Sequence, residues 1–367
     1  MIEKLVAYFA DNYNDLFDKM IECDHGEAGR LNPYHEEGSV WNHTKMVLDA
    51  VQDKNDLDVL VSALLHDIGK VYAREVKGDK VCFFGHAGIS TFYAIDIVED
   101  IKKNLSGFKW IDVAKILNMI NIHDIFFINK TNLSAKDLAS KLSGYGSDFV
   151  NKLIMLASAD NRGRICKNRV DEIDFIEYSN EVLDRVLMSE LIKEYGENDY
   201  KRNGNNVAIV MVGLPYSGKS THIQGMPKSN DYAVISRDDI VMSLANGESY
   251  NNAWVKVDQQ KVNRQLDINL RSAVNNNKNL IIDMTNLSAK SRRGKINMLS
   301  DDYTKYAWVF YVGMSELKRR MDIRKDKVIN NDVILGMMKQ YTIPMFDEFD
   351  SISFLYGDGS FQMVNNF

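Results

Sequence analysis

Residues 207–221, VAIVMVGLPYSGKST, constrain the fold more than any other stretch of the chain. The uncharged run Val207–Val212 predicts a strand buried on both faces, the kind found inside a parallel sheet. It leads directly into Gly213-Leu214-Pro215-Tyr216-Ser217-Gly218-Lys219-Ser220, which fits G-x-x-x-x-G-K-[ST] without a gap and is followed by Thr221. Glycines at these positions let backbone N–H groups wrap an anion at the N-terminus of the next helix. In such a loop Lys219 reaches the outer phosphates of ATP or another NTP, and Ser220 holds Mg²⁺. Gly213, Ser217, Gly218 and Thr221 complete the cradle.

More strand-like runs follow at Tyr232–Ser236, Asn279–Asp283 and Ala307–Val312, with helical patterns between them, as at 252–275 and 331–341. Strands alternating with helices predict a parallel α/β sheet. Upstream, YGENDYKRNGNN (195–206) is polar and has almost nothing to bury, as a linker would. Before it, apolar residues recur at helical spacing, as in Val59, Ala63 and His66, or Ile116, Ile120 and His123. The expected fold class is a two-domain α+β chain. Residues 1–196 form an all-α domain, 197–206 a linker, and 207–367 an α/β domain with a parallel sheet.

A length of 367 residues suits two domains, and 45% hydrophobic with 26% charged residues excludes a disordered chain. Residues 1–200 hold 23 basic and 34 acidic side chains, whereas 201–367 hold 22 and 17. The basic half suits a phosphate-rich ligand and the acidic half suits cations. Three widely spaced cysteines, Cys23, Cys82 and Cys166, argue against a disulfide framework or a cysteine zinc site. No apolar run is long enough to span a bilayer, and the N-terminus lacks a signal-peptide pattern. A soluble cytoplasmic protein is expected.

Ligands of open α/β sheets sit at the carboxyl ends of the strands. Strand 232–236 runs into Arg237-Asp238-Asp239, so a carboxylate at the mouth is placed to accept a proton from an attacking hydroxyl. Helix capping is the plain alternative for both aspartates. Strand 279–283 ends in Asp283-Met284-Thr285-Asn286, where Asp283 could hold Mg²⁺. After the fourth strand, Arg320 and Arg324 are one helical turn apart and could form a lid over phosphoryl charge.

These motifs, with Pro344-Met345-Phe346-Asp347-Glu348-Phe349-Asp350, resemble the 5'-OH polynucleotide kinase family over residues 207–355. The resemblance implies Asp238 as general base, Lys219 and Ser220 on the nucleotide, and Arg320 and Arg324 as lid arginines. Some members of that family carry an arginine three residues after the base, on the phosphate beside the acceptor hydroxyl. Val241 stands there in this chain. Acceptor grip then falls to Arg237, Arg292 or Arg293, with Asp239 and Asn286 as further candidates for binding substrate.

Six of the seven histidines precede residue 124. His43, His66-Asp67, His86, His123 and Asp160 fall mostly on inward helix faces, where isolated histidines are usually satisfied core residues and carboxylates need partners. Their convergence suits a transition metal such as Mn, Fe, Co, Ni or Zn. The order H…HD…H…H…D resembles the HD phosphohydrolase superfamily over roughly residues 30–170. The resemblance implies His43, His66, Asp67 and Asp160 at one metal, His86 and His123 at a second, and Asp67 bridging. It also implies Lys70 on a substrate phosphate. Arg162 and Arg164 offer further phosphate-binding guanidiniums, and His35 with Glu37 is expected to line the pocket.

The two halves together resemble the bacterial and phage HD-Pnk family of RNA end-healing enzymes. That resemblance implies NTP-dependent phosphorylation of RNA 5'-OH ends, removal of 2',3'-cyclic or 2'-phosphates, broken RNA as partner, and a separate RNA ligase downstream. Two alternatives are a nucleotide-salvage enzyme, an HD nucleotidase joined to a nucleoside or nucleotide kinase, and a non-catalytic RNA-binding scaffold.

Overall fold

The computed structural model describes residues 1–27, 32–78, 80–129, 132–166, 170–195, 205–226, 231–357 and 359–365. The polar stretch expected as a linker lies, at 197–204, outside the described residues. The chain divides into two units: Met1–Gly196 with Met338–Ile343, and Glu197–Met337 with Pro344–Asn366.

The first unit is helical. Its elements are α1 (Ile2–Asn12), α2 (Asn14–Glu22), α3 (Val40–Ala50), α4 (Leu57–Leu65), α5 (Lys70–Ala73), β1 (Glu75–Lys77), β2 (Lys80–Cys82) and α6 (His86–Asn104). There follow α7 (Val113–Asn121), α8 (Ile125–Asn129), α9 (Ala135–Leu142), α10 (Ser147–Arg162) and α11 (Glu172–Tyr195). Helix α4, LDVLVSALL, is apolar nearly all round, and every residue from Asp58 to Leu65 is buried. Such a helix has to lie in the middle of a bundle, and α3, α7 and α10 pack around it. Local caps fix where these helices start. The side chains of Ser39, Asp56 and Asp112 accept from the backbone N–H groups of Asn42, Val59 and Lys115, each cap contributing about 1 kcal/mol. This packing aims the His43 side of α3, the C-terminal ends of α4 and α7, and Asp160 of α10 at one another.

The small antiparallel hairpin of β1 and β2 departs from the all-α expectation. Its three-residue strands, rich in lysine, are too short to show a period of two. The segment Met338–Ile343 adds to this unit: Ile343 N–H donates to Asn121 Oδ1 (2.8 Å), and the Tyr341 ring lies against Phe92.

The second unit holds β3 (Asn206–Val212), α12 (Lys219–Gly225), β4 (Tyr232–Ser236), α13 (Arg237–Leu244), α14 (Tyr250–Lys256), α15 (Gln259–Asn275) and β5 (Asn279–Asp283). It continues with α16 (Ala289–Ile296), β6 (Tyr303–Tyr311), α17 (Met314–Ile323), α18 (Asn331–Met338, whose last residue falls in the first unit), β7 (Ser351–Tyr356) and β8 (Phe361–Asn365). The sheet order is β4-β5-β3-β6-β7-β8. The first five strands are parallel, as expected, and β8 closes the edge antiparallel to β7. Central β3 pairs Val210 with Ile282 on one side and with Ala307 on the other.

Three details differ from the sequence pattern. Strand β6 begins at Tyr303, because Thr304 and Lys305 interrupt the apolar signal while still pairing with β3. The pattern over 252–275 is two helices, since Asp258 caps a new start at Gln259. Strands β7 and β8 had no counterpart in the sequence pattern. No described helix is long and apolar enough to cross a membrane.

Candidate active sites

Strand β3 ends where the glycine loop begins. A Cβ on Gly213 would stand 2.9 Å from Ser217 Oγ and 3.0 Å from the Phe310 Cβ, so only glycine fits the close approach of loop to sheet. Gly218, at φ +96°, takes the left-handed turn that starts α12. Lys219 is buried and folds back over the loop, donating to Gly213 O (2.9 Å), Leu214 O (2.7 Å) and Ser217 Oγ (3.2 Å). Burial lowers its pKa to about 8. Ser220 Oγ donates to Asp283 Oδ2 (2.7 Å), bringing the two expected Mg²⁺ ligands together. Burial raises the Asp283 pKa, while Ser220 and Lys219 pull the other way. Carboxylate, hydroxyl and phosphate oxygens suit a hard cation such as Mg²⁺. Thr221 is exposed.

Asp238 and Asp239 occupy the first turn of α13, capped by Ser236 Oγ on the Asp239 N–H. Asp238 is the one that faces other functional groups. Its Oδ2 accepts from Lys327 Nζ (2.8 Å) and from the Tyr250 hydroxyl (3.1 Å). Lys327 escaped the sequence reading because it lies in a charged loop without periodicity. Two bonds hold that loop: the Tyr216 hydroxyl donates to Lys327 O (2.6 Å), and Val328 N–H donates to Asn251 Oδ1 (3.2 Å). Arg320 reaches the phosphate loop, donating to Tyr216 O (3.2 Å).

Three sequence assignments in this unit, those of Arg324, Arg292 and Asn286, need correction. Helix α17 ends at Ile323, so Arg324 is its C-cap and pairs with Asp326 rather than sharing a face with Arg320. Arg292 is fully buried, with Nη2 on Glu348 Oε2 (2.7 Å) and Nη1 on Leu287 O (3.1 Å), out of reach of a substrate. Arg293 pairs with Asp347. Asn286 is buried and donates to Met211 O (2.8 Å), tying the β5 end to β3. Glu348→Ala should therefore leave the buried Arg292 charge without its carboxylate counter-ion, costing roughly 3–5 kcal/mol and on the order of 10 °C in Tm. Chemical denaturation would measure it, and an R292M/E348L pair should recover most of the loss.

In the first unit Asp67 stands between two pairs of imidazoles. Its Oδ2 is 3.3 Å from His66 Nε2 and 3.5 Å from His43 Nε2, while its Oδ1 is 3.2 Å from His86 Nε2 and 3.9 Å from His123 Nε2. Asp160 Oδ1 is 3.0 Å from His43 Nε2. The backbone sets the tautomers: the Nδ1–H groups of His66, His86 and His123 donate to Ala63 O (2.8 Å), Phe83 O (3.0 Å) and Ile120 O (2.9 Å). Each of those Nε2 atoms is then a bare acceptor. His86 and His123 Nε2 face each other at 3.4 Å, and the buried Asp67 Oδ1 has no hydrogen-bond partner. Acceptors facing acceptors around an orphaned carboxylate oxygen fit divalent cations, with Nδ1 anchored as a metal-binding histidine requires. Two sets of three ligands result, His43-His66-Asp67 and Asp67-His86-His123.

Burial pushes Asp67 and Asp160 up, but the cations around them prevail and hold both well below the ordinary range. The Lys70 ammonium acts on Asp67 and the Arg164 guanidinium on Asp160. Burial lowers His123 to about 4. His43 is raised, since Asp160 and Glu37 outweigh its burial.

Lys70 is buried beside Asp67, with Nζ 2.7 Å from Asp67 Oδ2, 3.1 Å from His25 Nε2 and 3.4 Å from His35 Nε2. The Nδ1 atoms of His25 and His35 bond to Gly38 O (2.8 Å) and Glu37 Oε1 (2.7 Å), so both Nε2 atoms accept from the ammonium. All three donors of Lys70 are taken, and contact with a substrate phosphate requires the release of one. Glu37 Oε1 also lies 2.9 Å from His43 Nδ1, linking this cradle to the Asp67 cluster. His25 went unnoticed in the sequence, since it sits on a loop with no period. Arg164 is paired with Asp160, and Arg162 with Glu172.

Residues 209–344 match the AAA domain family. Over 136 residues, 37% of its length, the chain is 24% identical to L-seryl-tRNA(Sec) kinase of Methanococcus maripaludis. It spans about half of that relative's own length, 52%. The second unit is a P-loop kinase-like domain.

Proposed function

We propose that the chain is a bifunctional RNA end-healing enzyme of the HD-Pnk type. The observation that carries this is that each unit has its own cluster of chemical groups: a phosphate loop and the Asp238 carboxylate in one, a carboxylate between two imidazole pairs in the other. The relative's name includes an RNA acceptor, which supports an RNA-borne hydroxyl as substrate.

In the second unit the loop amides and Lys219 would hold the NTP phosphates, and Ser220 with Asp283 would hold Mg²⁺. Lys327 releases Asp238 Oδ2 when the acceptor enters. Asp238 then takes the proton of the 5'-OH as that oxygen attacks the γ-phosphorus. The new O–P bond forms, the β–γ bridging bond breaks, and NDP leaves. Arg320 is placed to steady charge on the transferred group.

In the first unit His43, His66, Asp67 and Asp160 would hold one metal, and Asp67, His86 and His123 a second. Divalent metals there would supply Lewis-acid polarisation of a terminal or cyclic phosphate. Lys70 and Arg164 keep the acidic side of the pocket neutralised, and Glu37 orients His43 and His35.

An RNA with a 5'-OH and a 2',3'-cyclic phosphate, incubated with labelled ATP, Mg²⁺ and Mn²⁺ or Ni²⁺, tests both halves. Label at the 5' end with phosphate loss at the 3' end is the expected result. Reaction of free nucleosides or nucleotides, with both RNA ends unchanged, would replace this proposal with salvage.

A further inference from the structure

A cleft of about 470 Å³ lies over the carboxyl ends of β4 and β5. Arg237 of α13 and Lys290 and Lys295 of α16 line it, together with Asn263, Asp267 and Ser291. None of the three cations forms an ion pair among the described residues. Arg237 donates to the neutral oxygens of Asn263 (2.7 Å) and Gln259 (2.8 Å), and Lys295 to the backbone oxygen (2.7 Å) and hydroxyl (3.0 Å) of Ser291. Asp267 acts on Lys295 only through space. Burial first, and Arg237 second, lower the Lys295 pKa to about 8. Three cations against the single carboxylate of Asp267 in one cleft create a field that favours an anion.

The location narrows which anion. Arg237, on the cleft wall, immediately precedes Asp238 in the first turn of α13, one residue from the proton acceptor. Val241 is fully buried, and Arg292 and Arg293 are paired with acids. We propose that this cleft is the subsite for acceptor-strand phosphodiesters, with Arg237, Lys290 and Lys295 holding the phosphates next to the 5'-OH. The assignment rests on the kinase reading above and names the residues that stand in for the arginine missing at 241.

The test uses the full chain and a fluorescein-labelled single-stranded RNA with a 5'-OH, without nucleotide, by fluorescence anisotropy across a salt series. K290Q/K295Q should weaken binding roughly tenfold and flatten the log–log salt slope by about 1.4, two phosphate contacts at about 0.7 each for a single strand. K290Q alone, at an exposed position, should change the slope by about 0.7, which guards against a folding defect at the part-buried Lys295. The KM for the oligonucleotide should rise in parallel while the KM for ATP stays constant. Wild-type slope and KM in both variants would overturn the assignment and leave the kinase reading standing. RNA binding with these slopes but no phosphorylation of any acceptor would sink the kinase reading and keep the cleft as an RNA site. Equal competition by inorganic phosphate and by RNA at matched phosphate concentration would overturn the strand assignment in favour of a free-anion site.

Discussion

Asp238→Asn is expected to lower the turnover of phosphoryl transfer by roughly 10²–10⁴-fold, the usual contribution of a positioned general base, with little change in stability. The substitution is nearly isosteric. It keeps an oxygen for the Tyr250 hydroxyl and removes the charge that holds Lys327 (2.8 Å). The Asp238 side chain is 44% exposed, and ion pairs that open to water contribute about 0–1 kcal/mol. The melting curve should therefore stay near that of the parent while the rate falls. Lys219→Ala differs because Lys219 binds the phosphates themselves, so it should also weaken nucleotide binding, which Asp238→Asn should not. Single-turnover phosphorylation of an RNA 5'-OH, with ATP binding measured separately, distinguishes the two. A rate within threefold of the parent for Asp238→Asn would remove Asp238 as the base and leave its contacts with Lys327 and Tyr250 as structural.

The sequence was most legible where backbone and chemistry demand the same residues. Gly213 and Gly218 are forced by close approach and by a left-handed turn, and the strand before them by burial, so the phosphate loop could be read at once. The histidine spacing was legible because His66 and His123 follow directly on the apolar helices α4 and α7, and α10 carries Asp160 near its end. Assignments by charge alone fared worse. Arg292 looks like a surface cation, and only the fold shows that Glu348, 56 positions later, balances it in the core. Arg324 was placed by helical spacing, but the helix stops one residue earlier. His25, Lys327 and Lys295 take part through tertiary contacts that no local period announces, and a single sequence carries no signal for them.

Asp67→Asn carries the largest expected effect in the first unit. The carboxylate presents one oxygen to each imidazole pair, at 3.2–3.5 Å for the nearer members. An amide offers only one oxygen, and its NH₂ must face Nε2 acceptors or Lys70. One ligand set is therefore lost outright, and the neutral side chain weakens the other. Metal retained after dialysis should fall to half or less of the parent value, and hydrolysis of a 2',3'-cyclic phosphate should vanish. A thermal readout separates this from simple damage. A metal that binds the folded chain stabilises it by about 2.7 kcal/mol at one hundred times Kd, so Mn²⁺ or Ni²⁺ should raise the Tm of the parent and barely move that of the variant. Phosphorylation of 5'-OH ends should persist, because the Asp238 and Lys219 machinery lies in the other unit. Equal metal-dependent Tm shifts in parent and variant would show that Asp67 is not a ligand. The carboxylate would then be a buried counter-ion for Lys70, 2.7 Å away, and its replacement would lower the metal-free Tm instead.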